Sequence, residues 1–85
     1  MPEISRFLGI TIKMYFSDHN PPHFHAFYGD QEAVFAIDTL EIVKGKLKPR
    51  VAWLVIEWAE MHKKDLMKNW ELMKEEKFMK IKPLV

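Results

Sequence analysis

Cysteine is absent from the 85 residues. Disulfides and thiolate zinc sites are therefore excluded, and any metal must be held by His, Asp and Glu. Charge of one sign is scarce as well. Lys and Arg number 13 and Asp and Glu 12, a formal net charge of +1 that does not announce a nucleic-acid partner. Long apolar runs are missing too: the longest, Val51 to Ile56, falls far short of the roughly 20 residues that cross a bilayer, so no membrane partner is expected. The N-terminus Met1-Pro2-Glu3-Ile4-Ser5-Arg6 lacks the basic-then-apolar order of a secretory signal, and a cytoplasmic location is expected. No GxGxxG turn, P-loop or GxSxG elbow occurs, which leaves nucleotide-fold and serine-hydrolase chemistry without support.

What is present reads as one small α+β domain over residues 1–85, 48% hydrophobic and 29% charged, too apolar for disorder. From Leu8 to Phe16, Leu8, Ile10, Ile12, Met14 and Phe16 alternate with Gly9, Thr11, Lys13 and Tyr15, the period of a half-buried strand. Asn20-Pro21-Pro22 is a loop signal. Two β-rich runs, His23–Tyr28 and Glu32–Asp38, flank Gly29-Asp30, a pair suited to a type II′ hairpin. A two-residue loop sets Phe24 opposite Phe35, Ala26 opposite Ala33, His25 opposite Val34 and His23 opposite Ala36. A four-residue loop shifts the register but keeps the faces. Leu40 to Val43 supplies a fourth short strand.

After Pro49, apolar residues recur at helical spacing: Val51, Leu54, Val55, Trp58, His62, Leu66, Trp70 and Met73. The expectation is an antiparallel meander of three to four strands within 8–43. It packs against a C-terminal helix over about 49–76, followed by an extended tail, 77–85. One straight helix of that length would measure about 42 Å, longer than a domain this small. It therefore either breaks near His62–Asp65 or reaches beyond the sheet to a partner. Trp53 lies off the apolar stripe, and Trp70 and Phe78 lie beyond the length a small sheet can cover. These three are the candidate interface residues, for a homodimer or a second protein. Folding back near His62 would hide the distal ones instead.

Chemistry concentrates in Asp18-His19-Asn20-Pro21-Pro22-His23-Phe24-His25, which holds three of the four histidines. On a strand, His23 and His25 point to one face, away from Phe24 and Ala26. Three readings fit. They are ordinary polar residues on a wet face. Or they ligate a divalent metal with His19, or with Asp18, Glu32 or Asp38 as a further ligand. Or they form a metal-free acid–base pair, which titrates near neutrality and suits RNA cleavage through the 2′-hydroxyl. Catalytic candidates are then His23, His25, His19 and Asp18, with no cofactor required. Arg6, Lys44, Lys46, Lys48 and Arg50 are the candidate phosphate contacts, with Lys13 a further cation. His62, on the helical stripe, is expected to be a partly buried core histidine.

Met1-Pro2-Glu3-Ile4-Ser5-Arg6-Phe7, Gly9-Ile10, Met14-Tyr15, Asp18 to Ala26, Tyr28-Gly29, Leu40-Glu41, Gly45-Lys46-Leu47, Glu57-Trp58-Ala59 and Asn69-Trp70 resemble the bacterial family called domain of unknown function 4160. The resemblance runs along essentially the whole chain, and its most specific stretch is Asp18 to Ala26. It implies a short protein, often encoded beside a small protein of domain of unknown function 2442, in an arrangement like a two-gene toxin–antitoxin module. The implied partner is that cognate small protein. The resemblance implies no reaction and transfers no catalytic residue.

Overall fold

The alternating run after Gly9 forms a strand whose Ile10 and Ile12, with Met14 just beyond it, are sealed from solvent. The computed structural model describes residues 2–85. It contains β1 (Glu3–Phe7), β2 (Ile10–Lys13), β3 (His23–Tyr28), β4 (Gln31–Ala36), β5 (Ile42–Gly45), α1 (Pro49–Met61) and α2 (Lys63–Met73). The strands make a single antiparallel sheet in the order β1-β2-β3-β4-β5. The α+β meander is as expected, but it has five strands rather than three to four, and two helices rather than one.

The extra strand is β1, which begins before residue 8. Leu8 and Gly9 join it to β2, both at positive φ (51° and 79°), the paired conformation of a tight hairpin turn. Leucine is a poor sequence signal for that conformation, and Leu8 is exposed in the turn rather than part of the buried row. The β3–β4 hairpin has the two-residue loop: Phe24 pairs with Phe35, Ala26 with Ala33, His25 with Val34 and His23 with Ala36. Gly29 alone takes a positive φ there, as a II′ turn requires. At the far edge, a Cβ on Gly45 would clash with the Glu32 carbonyl, so glycine is needed where β5 closes onto β4.

Phe24 and Phe35 stack at 5.3 Å, and Trp58 meets Phe24 edge-on at 5.9 Å. The aromatic side of the hairpin therefore faces the helices. Burial of each such large side chain is worth about 1.5–3 kcal/mol. The helical stretch breaks at His62 (φ −127°, ψ 23°). The longest dimension of the molecule is 33 Å, less than a straight helix would need, so α2 turns off the line of α1 and brings Leu66, Trp70 and Met73 into the core. His62 is partly buried beside Trp58, 5.6 Å between ring centres.

α2 ends at Met73 rather than near Glu76. Glu76 adopts φ 58°, Lys77 N–H donates to Leu72 C=O and Glu76 N–H to Met73 C=O, a Schellman stop with glutamate where glycine is usual. The tail then docks in extended form. Asn69, fully buried, pairs both amide groups with the Met79 backbone at 2.9 Å. Trp58 Nε1 donates to the Lys82 carbonyl, and Ile81 N–H to the Ile4 carbonyl, both at 2.8 Å. No helix among the described residues is long and apolar enough to cross a membrane.

Candidate metal centre

Asp18, His23 and His25 converge on the side of β3 turned away from the Phe24–Phe35 stack, where Trp70 of α2 packs on His23. Three ligand-capable atoms, one from each, lie within 4.8 Å of one another. The strand supplies the two imidazoles by simple alternation, while the loop before β3 supplies the carboxylate. Ser17 turns the chain at φ 54° and its N–H donates to Met73 C=O. After the cis Asn20–Pro21 bond, Pro22 C=O accepts the Ile37 N–H. The loop is thus tied to α2 at one end and to the segment after β4 at the other.

The oxygens of Asp18 divide their work. Oδ1 accepts the His19 backbone N–H at 2.8 Å, leaving Oδ2 to face His23 Nε2 at 2.8 Å and His25 Nε2 at 3.7 Å. Burial pushes the Asp18 carboxyl up, but the His19 N–H and the neighbouring His23 outweigh it. The net shift is downward, so Asp18 is a carboxylate at neutral pH.

Each imidazole is held at its other nitrogen. His23 Nδ1 lies 2.7 Å from Pro21 C=O, and His25 Nδ1 lies 3.0 Å from Glu32 Oε2. A carbonyl and a carboxylate only accept, so both Nδ1 atoms carry protons. A neutral His23 therefore aims an Nε2 lone pair at a carboxylate oxygen 2.8 Å away. Two acceptors at that distance require a proton or a cation between them. His25 Nε2 is buried and without a hydrogen-bond partner. The rings are also wedged: His23 packs on Trp70 at 5.1 Å, and His25 meets Tyr15 edge-on at 4.4 Å. Burial first, then Glu32 and Asp18, pushes the Tyr15 phenol up, so it stays neutral.

Ligand atoms about 2.1 Å from one ion stand about 3.0–3.5 Å apart. The two separations from Asp18 Oδ2, 2.8 and 3.7 Å, bracket that range, and the two imidazole nitrogens lie within 4.8 Å of each other. Ring N–H groups donating outward to a carboxylate and a backbone carbonyl are the outer-shell arrangement that orients metal-binding histidines.

The other candidates disperse. His19 is exposed; its ring borders a groove beside the cluster but does not join the three converging ligands. Asp38 lies outside the cluster, its carboxylate taking the Thr39 N–H. Arg6 sits on β1, at the opposite edge of the sheet from β5, and bonds Glu3 at 2.8 Å, holding that carboxyl below its usual range. Lys44 borders the groove, whereas Lys46, Lys48 and Arg50 are exposed outside its lining. Trp53 and Phe78 are exposed, the latter against Phe16. Trp70 is buried, so it is not a surface contact: the fold-back at His62 has placed it inside. The holding groups Glu32 and Pro21 C=O were not singled out for that role. Glu32 was legible, because the two-residue hairpin puts it on the face of His25, one pair along.

A model of the family described as "Domain of unknown function (DUF4160)" matches residues 9–71. The chain belongs to the DUF4160 family. The match spans β2 to most of α2 and includes Asp18, His23, His25, Glu32 and Lys44, so the whole cluster is part of the DUF4160 region. Searches of curated proteins and of solved structures return no match.

Proposed function

We propose that this DUF4160 protein binds one divalent transition metal through Asp18 Oδ2, His23 Nε2 and His25 Nε2. The observation that carries this reading is the direction of the imidazoles. Both Nδ1–H groups are committed outward, leaving both Nε2 atoms turned toward one carboxylate oxygen. Two imidazoles and one carboxylate suit zinc, iron(II), nickel or cobalt, and three protein ligands leave room for water or substrate. Calorimetric titration of the apo protein with zinc and with nickel should give one site per chain. Affinity should fall as pH drops through the ordinary imidazole range, near about 6.5. Trp70 emission should respond to nickel, with Trp70→Phe as control. No heat and no thermal stabilisation at pH 7.5 would remove the metal.

A second reading rests on register. Lys13 pairs with His25, His25 with Val34, and Val34 with Lys44, so a cation lies on each side of the imidazoles on one face. That arrangement supports metal-free cleavage of RNA. One imidazole would take the 2′-hydroxyl proton and the other would protonate the leaving oxygen, with Lys13 and Lys44 beside the phosphate. In this reading the protein is one component of a toxin–antitoxin-like pair, with exposed Trp53 and Phe78 available to the cognate small protein. RNA cleavage that persists in EDTA and follows a bell-shaped pH profile would favour it over the metal. So would growth arrest on expression without the neighbouring gene that vanishes in His23→Ala.

A further inference from the structure

The groove next to the cluster has a volume of 390 Å³, within the range of small-ligand sites. It runs between the Asp18–Pro21 loop and β5, with His23 and His25 in its floor and Lys44 at its far side. Lys44 also lines a smaller recess of 170 Å³ on the other flank of His25, with Glu32 and Val34. It therefore borders both recesses that flank His25. Two strand spacings, about 10 Å, separate its backbone from that of His25, and a lysine side chain spans much of that gap. Among the described residues, every ion pair leaves Lys44 out.

The charges decide what such a groove holds. With a divalent ion in place, Asp18 cancels one of its charges and Glu32, on the outer flank, a second. Lys44 then leaves an excess of positive charge next to a metal with open positions. An oxyanion that bridges metal and ammonium satisfies both, and a tetrahedral phosphoryl group, whose free oxygens diverge toward the two cations, does so better than a flat carboxylate. Lysine is a common phosphate contact, acting as a point charge, and metal ions polarise phosphoryl oxygens.

We infer that Lys44 and the metal of the Asp18–His23–His25 cluster together form a subsite for a phosphate ester. This rests on the metal reading above. The phosphoryl group belongs either to a small phosphomonoester or to a polynucleotide backbone, and the chemistry of the subsite is common to both.

The test begins by loading wild type, Lys44→Gln and Lys46→Gln with one equivalent of zinc and measuring zinc affinity. Zinc affinity should be the same within about twofold in all three, because Lys44 is not a ligand. Phenyl phosphate is then titrated into each loaded protein, with acetate as the flat carboxylate. Lys44→Gln should weaken phenyl phosphate binding tenfold or more, Lys46→Gln less than twofold, and acetate should bind wild type at least tenfold more weakly. A short single-stranded RNA that binds tenfold tighter than phenyl phosphate, with the same Lys44 dependence, assigns the phosphoryl group to a polynucleotide. Equal affinity assigns it to a small ester. Zinc bound normally with no Lys44 effect, or acetate binding as well as phosphate, overturns the subsite alone. Failure of wild type to bind zinc overturns the metal reading, and the subsite with it.

Discussion

Phe24 and Ala26 project from one side of β3 into a sealed aromatic core, whereas His23 and His25, their neighbours in sequence, project from the other into the wall of a groove. Both sides are well packed, but by different means. On the inner side, shape and area do the work: Phe24 is clasped by Phe35 and Trp58. On the outer side, each ring is fixed by a directed hydrogen bond at Nδ1 and an aromatic neighbour, with Nε2 turned toward Asp18 Oδ2. A core uses every contact for stability. His25 Nε2 is buried without a partner, as are Ser5 Oγ, His62 Nε2 and Trp70 Nε1. Of these, only the His25 nitrogen lies in a cluster of three ligand-capable side chains. Such unpartnered capacity is costly unless a ligand or proton satisfies it. The sign of function on the outer face is thus the convergence of two imidazoles on one carboxylate.

The comparison can be broken from the inside first. Phe24→Ala should lower unfolding stability by about 3–5 kcal/mol in denaturant titration, through the cavity it leaves. Any folded fraction should keep its metal affinity, since the imidazoles face away. Trp70→Ala probes a residue shared by both regions, being buried while packing on His23. It should cost about 3–5 kcal/mol and weaken metal binding too. A Trp70→Ala protein of unchanged stability would contradict the fold-back of α2.

The outer face is sharpened by Glu32→Ala. It should leave stability nearly unchanged, because Glu32 is exposed, yet reduce zinc affinity about 10–100-fold by freeing His25 to turn. Unchanged affinity would mean that the ring is held by Tyr15 and its backbone alone. The smallest effect concerns acid. The Asp18 carboxyl is lowered in the folded protein, so its contribution is present above the ordinary carboxylate range and is lost as pH falls through the lowered value. In apo protein, Asp18→Asn should flatten the acid limb of stability below about pH 4. An acid limb identical to wild type would show that Asp18 is no better stabilised folded than unfolded.

The sequence alone determined the two faces of β3, because side-chain direction in a strand alternates by backbone geometry and needs no distant partner. It narrowed the β3–β4 register to a two- or four-residue loop at Gly29-Asp30, and the helical stripe to a break near His62 or a reach beyond the sheet. The structure selected the two-residue loop and the break. Local signals failed where non-glycine residues took positive φ. Leu8 hid the β1–β2 turn, and Glu76 hid the end of α2. Only the tertiary structure decided that Asp18, rather than His19, completes the cluster. The loop is held from outside, by Met73 and Ile37, and one carboxylate oxygen is spent on a backbone N–H before the other reaches the imidazoles. Only the tertiary structure, likewise, put Trp70 inside against His23, and Arg6 across the sheet from Lys44. Those placements depend on contacts between residues far apart in the chain, which spacing along a sequence cannot encode.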